Sequence, residues 1–271
     1  MLGTVIITIK ANNTCMLPAL PGRFLHAVMF FLISVIDEHL SVYWHSKSGV
    51  KPFSISLISE KGTNEINEIR KGDTLFLRIN LWHSELWLKF QELQSLLQDF
   101  RLEIGPLRAR VVGVYYEAPF ELILHEDNLL DLVQWRLESD SVRQIEFQFI
   151  TPALFNGTHG AITFPTASLI FASIVDKWNA GDIHDQLDKN RVKKICERIV
   201  LTEWKGQTKR VYFGRDRGYT GFVGTFSFDV SRLTLEENQL ITILALFGQH
   251  SGIGRLSSQS LGQVRVTLQN K

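Results

Sequence analysis

Gly252-Ile253-Gly254-Arg255-Leu256-Ser257-Ser258-Gln259-Ser260-Leu261-Gly262 runs straight into the alternating segment Gln263-Val264-Arg265-Val266-Thr267-Leu268. A helix-like pattern over 235–247 precedes it. The local order is therefore helix, glycine turn, terminal strand. Glycine admits positive φ and lets another backbone approach closely. Successive N–H groups in such a turn make a concave anion site, and Arg255 adds a planar fork suited to phosphate. The residues read either as a loop that grips a polyanion or as an ordinary helix-to-strand turn, because Gly-x-Gly alone is common.

Working outward, the second half reads as a strand over 144–150, a helix over 165–179, a further helix over 186–197, long strands over 199–213 and 219–230, the helix over 235–247 and the strand over 263–268. The first half has the same rhythm. A strand covers 4–10 and a turn 18–22. A helix follows over 23–40, with Phe24, Val28, Phe31, Val35 and Leu40 near one face. Then come a loop over 41–50, strands over 51–58 and 74–82, a helix over 85–100 and a strand over 107–116. Each half is β-α-β-β-α-β, the second with one extra helix. The predicted fold is α+β: tandem ferredoxin-like (RRM-like) βαββαβ domains. They span 1–138 and 139–271, joined by a helical connector over 126–137. Four-stranded sheets of this kind commonly serve as platforms for single-stranded RNA.

Composition bounds the function classes. In 271 residues, 45% hydrophobic, there is enough apolar matter for a full core. Twenty-nine basic residues against 28 acidic ones give a net charge of +1, so any polyanion must be read from local clustering. Cys15 and Cys196 are far apart, lack metal spacing and read as reduced thiols of a cytoplasmic protein. The apolar run 27–36 is too short to span a bilayer, and the opening strand pattern is unlike a signal peptide. No membrane association is expected.

One region is charged on one side. Residues 189–217 hold Arg191, Lys193, Lys194, Arg198, Lys205, Lys209, Arg210, Arg215 and Arg217 against Glu197, Glu203 and Asp216. A charge run is usually a solvated face. Here the sign bias and the Lys205-Gly206-Gln207 turn favour contact with RNA. The histidines are dispersed. His45 follows the first helix beside Tyr43 and Trp44, where a base could stack. His26 opens that helix, where packing or capping is the bland reading. His39 ends it, where a cation complements the dipole. His250 borders the glycine turn. His83, His125, His159 and His184 lie apart with no ligand spacing, so no metal and no cofactor are expected.

Four stretches in order resemble a known family. They are Leu20-Pro21-Gly22-Arg23-Phe24-Leu25-His26-Ala27; His45 with Lys51-Pro52-Phe53-Ser54-Ile55-Ser56; Phe149-Ile150-Thr151-Pro152-Ala153-Leu154-Phe155 with Phe164-Pro165; and Gly221-Phe222-Val223-Gly224, running through the last helix to His250-Ser251-Gly252-Ile253-Gly254. The chain is similar to the CRISPR repeat-processing endoribonucleases, repeat-associated proteins of tandem ferredoxin-like build. It departs from their pattern in closing the loop as Gly262-Gln263-Val264. It also has Met29-Phe30-Phe31 where some members carry a catalytic tyrosine.

The resemblance implies metal-independent RNA cleavage. The 2′-OH attacks the adjacent phosphate, leaving a 2′,3′-cyclic phosphate and a 5′-OH. Such chemistry needs a base, an acid and positive charge on the phosphate. His45 takes the family's catalytic histidine position, with His26 the rival. Lys51 matches a lysine that stabilises the scissile phosphate, with Lys47 the alternative. Gly252, Gly254, Arg255, Ser257 and Ser258 are implied to hold the RNA backbone, and Lys205 and Arg210 its stem or flank, with Arg108 and Arg110 extending the track. The implied partner is CRISPR repeat RNA, as precursor and mature guide. Effector-complex subunits and a second copy of the chain are further partners. The alternative is a non-catalytic subunit that only holds guide RNA.

Overall fold

The structure, a computed structural model, describes residues 3–60, 62, 67–97, 100–116, 141–158, 160–182, 186–213 and 218–270. The chain divides into two compact units, Met1–Ile123 with Ser258–Ser260, and Leu124–Ser257 with Leu261–Lys271. The expected boundary at 138/139 and the connector over 126–137 lie outside the described residues.

The first unit runs β1 (Gly3–Ala11), β2 (Cys15–Met16), α1 (Gly22–Ile36), α2 (Glu38–Ser46), β3 (Phe53–Ser59), β4 (Glu68–Ile69), β5 (Thr74–Leu81), α3 (Ser84–Phe90), α4 (Leu93–Leu96), β6 (Arg101–Ile104) and β7 (Leu107–Tyr115). Its main sheet has the order β3-β5-β1-β7-β6, and its pairings are antiparallel. That is the ferredoxin-like order with β6 added as a hairpin on β7. Alternation dictates the sheet: Val5, Ile7 and Ile9 of β1 and Leu75, Leu77 and Ile79 of β5 are buried to about the same depth. Leu25, Met29, Leu32 and Ile33 of α1 join the same apolar core.

Four expectations need correction here. The helix over 23–40 is two helices. Asp37 takes an extended conformation (φ −158°, ψ 110°), and its carboxylate accepts a 3.0 Å hydrogen bond from Leu40 N–H. Asp37 is thus the N-cap of α2, a role suited to aspartate before an acidic first turn. The segment 41–50 is accordingly helical through Ser46, not a loop. His39 therefore sits in the first turn of α2, where the dipole does not favour a cation. The buried face of α1 also differs: Phe24 and Phe31 stay partly exposed, and Leu25, Met29 and Leu32 face inward. Phe24 packs instead over Gly105, where a Cβ would meet its ring at 2.6 Å.

The second unit runs β8 (Val142–Ala153), β9 (Phe155–Gly157), β10 (Gly160–Ile162), α5 (Ala167–Ala180), α6 (Lys189–Cys196), β11 (Val200–Tyr212), β12 (Gly218–Asp229), α7 (Leu235–Ser251), a 3-10 turn (Ser257–Gln259) and β13 (Val264–Asn270). Its sheet order, β11-β12-β8-β13, repeats the ferredoxin-like arrangement. Phe147, Phe171, Phe226 and Phe228 form its aromatic centre, with ring centroids 5.9–6.1 Å apart. Helix α7 opens on a complete capping box. Thr234 Oγ1 accepts from Glu237 N–H, and the Glu237 carboxylate accepts from Thr234 N–H. No described helix is long and apolar enough to cross a membrane.

Candidate functional site

The first group of chemistry-bearing side chains sits at the start of α1 and the end of α2. His26 lies one turn into α1, and its ring meets Phe30 edge-on at 4.9 Å. His45 is in the last turn of α2, exposed, and its ring meets the same Phe30 at 5.1 Å. Phe30 is thus a shared wall for two imidazoles. Lys51 lies just before β3 and donates to the carbonyls of Trp44 and Lys47 at the C-terminal end of α2. A lysine there satisfies orphan helix carbonyls and suits the negative end of the dipole. Lys47 turns the other way, its ammonium 4.6 Å from the Trp44 ring.

Burial holds the His26 imidazole below its ordinary pKa. The nearby positive charges of Lys51 and His45 push the same way, while a contact to the Ser258 carbonyl opposes them. Lys51 is likewise lowered, first by burial and then by Lys47. His26 Nδ1 lies 3.1 Å from Ser258 O. A carbonyl only accepts, so Nδ1 carries the proton and the neutral ring presents Nε2 as its lone pair. Ser258–Ser260, the tip of the glycine-rich loop, belongs to this first unit. It is fastened there a second time by Ser260 Oγ, which donates to Ile55 O at 2.7 Å. Sequence reading ranked His26 behind His45. The signal it lacked was the distant loop carbonyl.

The second group is the body of that loop, in the second unit. Gly252, Gly254 and Gly262 have φ of 75°, 87° and 64°, and Leu256 and Ser260 are also positive. A Cβ on Gly254 would lie 2.6 Å from Leu154 O, and one on Gly262 would overlap the Ile253 carbonyl. Glycine is required at both positions by conformation and by space. Helix α5 holds the start of the loop through two residues one turn apart. Ser173 Oγ accepts from Gly254 N–H at 2.8 Å, and Lys177 Nζ donates to Gly252 O at 2.6 Å. Lys177 is 2% exposed, and burial lowers its pKa to about 7 against a smaller opposing pull from Asp176. Further along, Arg255 N–H donates to Leu154 O and Gly262 N–H to Pro152 O. The Gly254 amide therefore already has an acceptor. Gly252, Gly254 and Ser257 are buried, and Arg255 and Ser258 are partly exposed.

The third group is the β11–β12 ribbon, where Lys205 and Arg210 are exposed. Arg191, Lys193 and Lys194 lie on α6, a separate element, while Arg215, Asp216 and Arg217 lie outside the described residues, as do His125, His159 and His184. Arg198 pairs with Glu237 of the α7 capping box. Among the described residues, no three His, Cys, Asp or Glu side chains are grouped to hold a metal ion.

Residues 147–264 match the family described as CRISPR-associated endoribonuclease Cas6. The chain is 24% identical over 124 residues to the CRISPR-associated endoribonuclease Cas6 of Mycobacterium tuberculosis (strain CDC 1551 / Oshkosh). That match covers 46% of this chain and 39% of the relative, so it spans well under half of the relative's length. Among solved structures, a Cas6 product complex superposes with a TM-score of 0.75 at 19% identity, over 98% of this chain and 100% of the other. A Cas6 substrate mimic complex does so with a TM-score of 0.72 at 19% identity, over 98% and 99%. By sequence through residues 147–264, and by fold through nearly its whole length, the chain resembles the CRISPR-associated endoribonuclease Cas6 family.

Proposed function

We propose that the protein is a metal-independent endoribonuclease that cleaves CRISPR precursor transcripts within their repeats, leaving 2′,3′-cyclic phosphate and 5′-OH ends. One observation carries the reading: two imidazoles, His26 and His45, share the Phe30 wall, and Lys51 is close enough to lower the His26 pKa. Two histidines supply the base and acid for in-line attack of the 2′-OH on the phosphate, with the 5′-oxygen leaving. His26 is the base. Its low pKa keeps it neutral at physiological pH, and the Ser258 carbonyl fixes Nε2 as the accepting atom. His45 protonates the leaving 5′-oxygen. Lys51 gives two N–H groups to carbonyls and has a third, with its charge, for the phosphate.

In the second unit the glycines at 252 and 254 shape the loop. Arg255, Ser257 and Ser258 hold the RNA backbone, and Lys205 and Arg210 hold its flank. The partners are the precursor and mature repeat RNA, with effector-complex subunits and a second copy of the chain beyond them. The chain acts in two domains, 1–138 carrying the histidines and 139–271 the loop, in the cytoplasm and without a cofactor.

The test is a gel assay with repeat RNA in EDTA. Cleavage that survives chelation, stops with a 2′-deoxy nucleotide at the cut and leaves a cyclic phosphate supports the enzyme. Tight binding with no product would instead leave an RNA-holding subunit. Binding should weaken steeply with salt, as phosphate contacts release counterions.

A further inference from the structure

The β11–β12 ribbon has two faces, and only one of them matches the basic run read from the sequence. Pairing is continuous from Glu203↔Ser227 to Tyr212↔Gly218, so side chains alternate without a slip. Lys205 and Lys209 point to one side. Trp204, Gly206, Thr208, Arg210 and Tyr212 point to the other, opposite Phe226, Gly224, Phe222, Thr220 and Gly218. Those ten positions contain one cation and no acid.

On this second face the β12 rings Phe222, Phe226 and Phe228 are buried, and the β11 rings Trp204 and Tyr212 are exposed. Phe228, Phe226 and Trp204 form a stacked series, each step 6.0 Å between centroids at 21°. Its outermost ring is the Trp204 indole, 52% exposed. Phe164, 41% exposed, braces that indole edge-on at 5.6 Å. At the far end Tyr212 is 57% exposed, with the Arg210 guanidinium 5.3 Å from its ring centre. Glycine makes the room: a Cβ at Gly218, opposite Tyr212, would meet Arg210 Nε at 2.9 Å. Glycine within a strand often marks close approach of a ligand. The eight steps along the strand from Trp204 to Tyr212 span about 27 Å, enough for a short run of nucleotides.

We propose that this face is a stacking track for unpaired RNA bases, with Trp204 and Tyr212 as its two platforms and Arg210 on a phosphate between them. It deepens the reading of the ligand as RNA and rests on that reading. It assigns the single-stranded part of the substrate to a face other than that of Lys205. Every base has a π-face, so stacking of this kind is tolerant of sequence, and each base contributes about 1–3 kcal/mol. A protein strand added to the β11 edge would use backbone groups instead and would not need the indole.

The experiment measures binding of a 12-nucleotide oligouridine and of a blunt RNA duplex to the full chain, by fluorescence anisotropy. Trp204→Ala should weaken oligouridine binding roughly 5- to 150-fold, Trp204→Phe should restore part of it, and duplex binding should not change. Oligouridine carrying 5-iodouridine should crosslink to Trp204 or Tyr212. Equal oligouridine affinity in a folded Trp204→Ala protein, or crosslinks only elsewhere, overturns the track. If repeat RNA is never cut but these results hold, the nuclease reading falls and the track stands. If repeat RNA is cut and oligouridine binding ignores Trp204, the track falls alone.

Discussion

The two units share one strand order and spend it differently. In the first, the strands corresponding to β11 and β12 are β3 and β5, of 7 and 8 residues, and both are largely buried. In the second they run 13 and 12 residues, and β11 is exposed along most of its length. The helices invert the emphasis. The first unit carries His26 near the start of its first helix and His45 at the end of its second, and leaves its later helices short, at 7 and 4 residues. The second ends on a 17-residue helix with a full capping box, whose C-terminus delivers the Gly252 turn. A ferredoxin-like scaffold thus offers helix ends for chemistry and hairpins for reach. The histidine cluster draws on the first of these, and the ribbon on the second.

The largest expected effect breaks the first of these uses. His26→Ala and His45→Ala should each lower the cleavage rate about 10²–10⁴-fold while leaving repeat-RNA binding within a few-fold, measured by single-turnover assay and by anisotropy. Activity should also depend on pH in a defined direction. The His26 pKa is lowered, so the base limb should lie below pH 6.5, with rate rising as His26 loses its proton and levelling off before neutrality. In His26→Ala that limb should vanish. A base limb above pH 7 would reassign the base.

How far this site was legible in the sequence depends on range. Local signals were readable: alternation gave β1, β5, β11 and β12 within a few residues, and Thr234-Leu235-Glu236-Glu237 carries the capping box in plain view. Asp37-Glu38 carries a capping signal too, but the apolar run before it masks the break, so the pattern extends the first helix to residue 40 and makes a loop of 41–50, His45 included. The hairpin strand β6 and the broken helix over 85–100 were missed because short segments bury too few residues to impose a period. What no local pattern contains is the loop tip. His26 faces Ser258 across 232 positions of chain, and Ser260 reaches Ile55 across 205. Only tertiary structure separates a packing histidine from an oriented one.

A smaller effect sharpens the role of the loop. Gly254→Ala adds strain at φ 87° and a Cβ 2.6 Å from the Leu154 carbonyl. It should destabilise the protein by about 1–3 kcal/mol, measured by urea unfolding, and weaken repeat-RNA binding. Ser173→Ala, which removes only the acceptor of the Gly254 amide, should cost about 1 kcal/mol. If Gly254→Ala is the milder of the two, backbone conformation is not what glycine supplies there.

The smallest effect tests the buried lysine that holds the same turn. Lys177 titrates near pH 7 in the fold and near 10.4 in an unfolded chain. Between those values the unfolded chain binds more protons than the folded one, so this group makes stability rise with pH across that window. Its contribution to the slope is up to about 1.4 kcal/mol per pH unit, and below about pH 7 it is flat. Lys177→Met keeps the length of the side chain and removes both the charge and the bond to Gly252 O. Urea titrations at pH 6.5, 8 and 9.5 should therefore show the variant gaining less stability than the parent as pH rises. A parallel pair of curves would mean that Lys177 keeps its proton in the fold, with the ammonium compensated by groups beyond the Gly252 carbonyl.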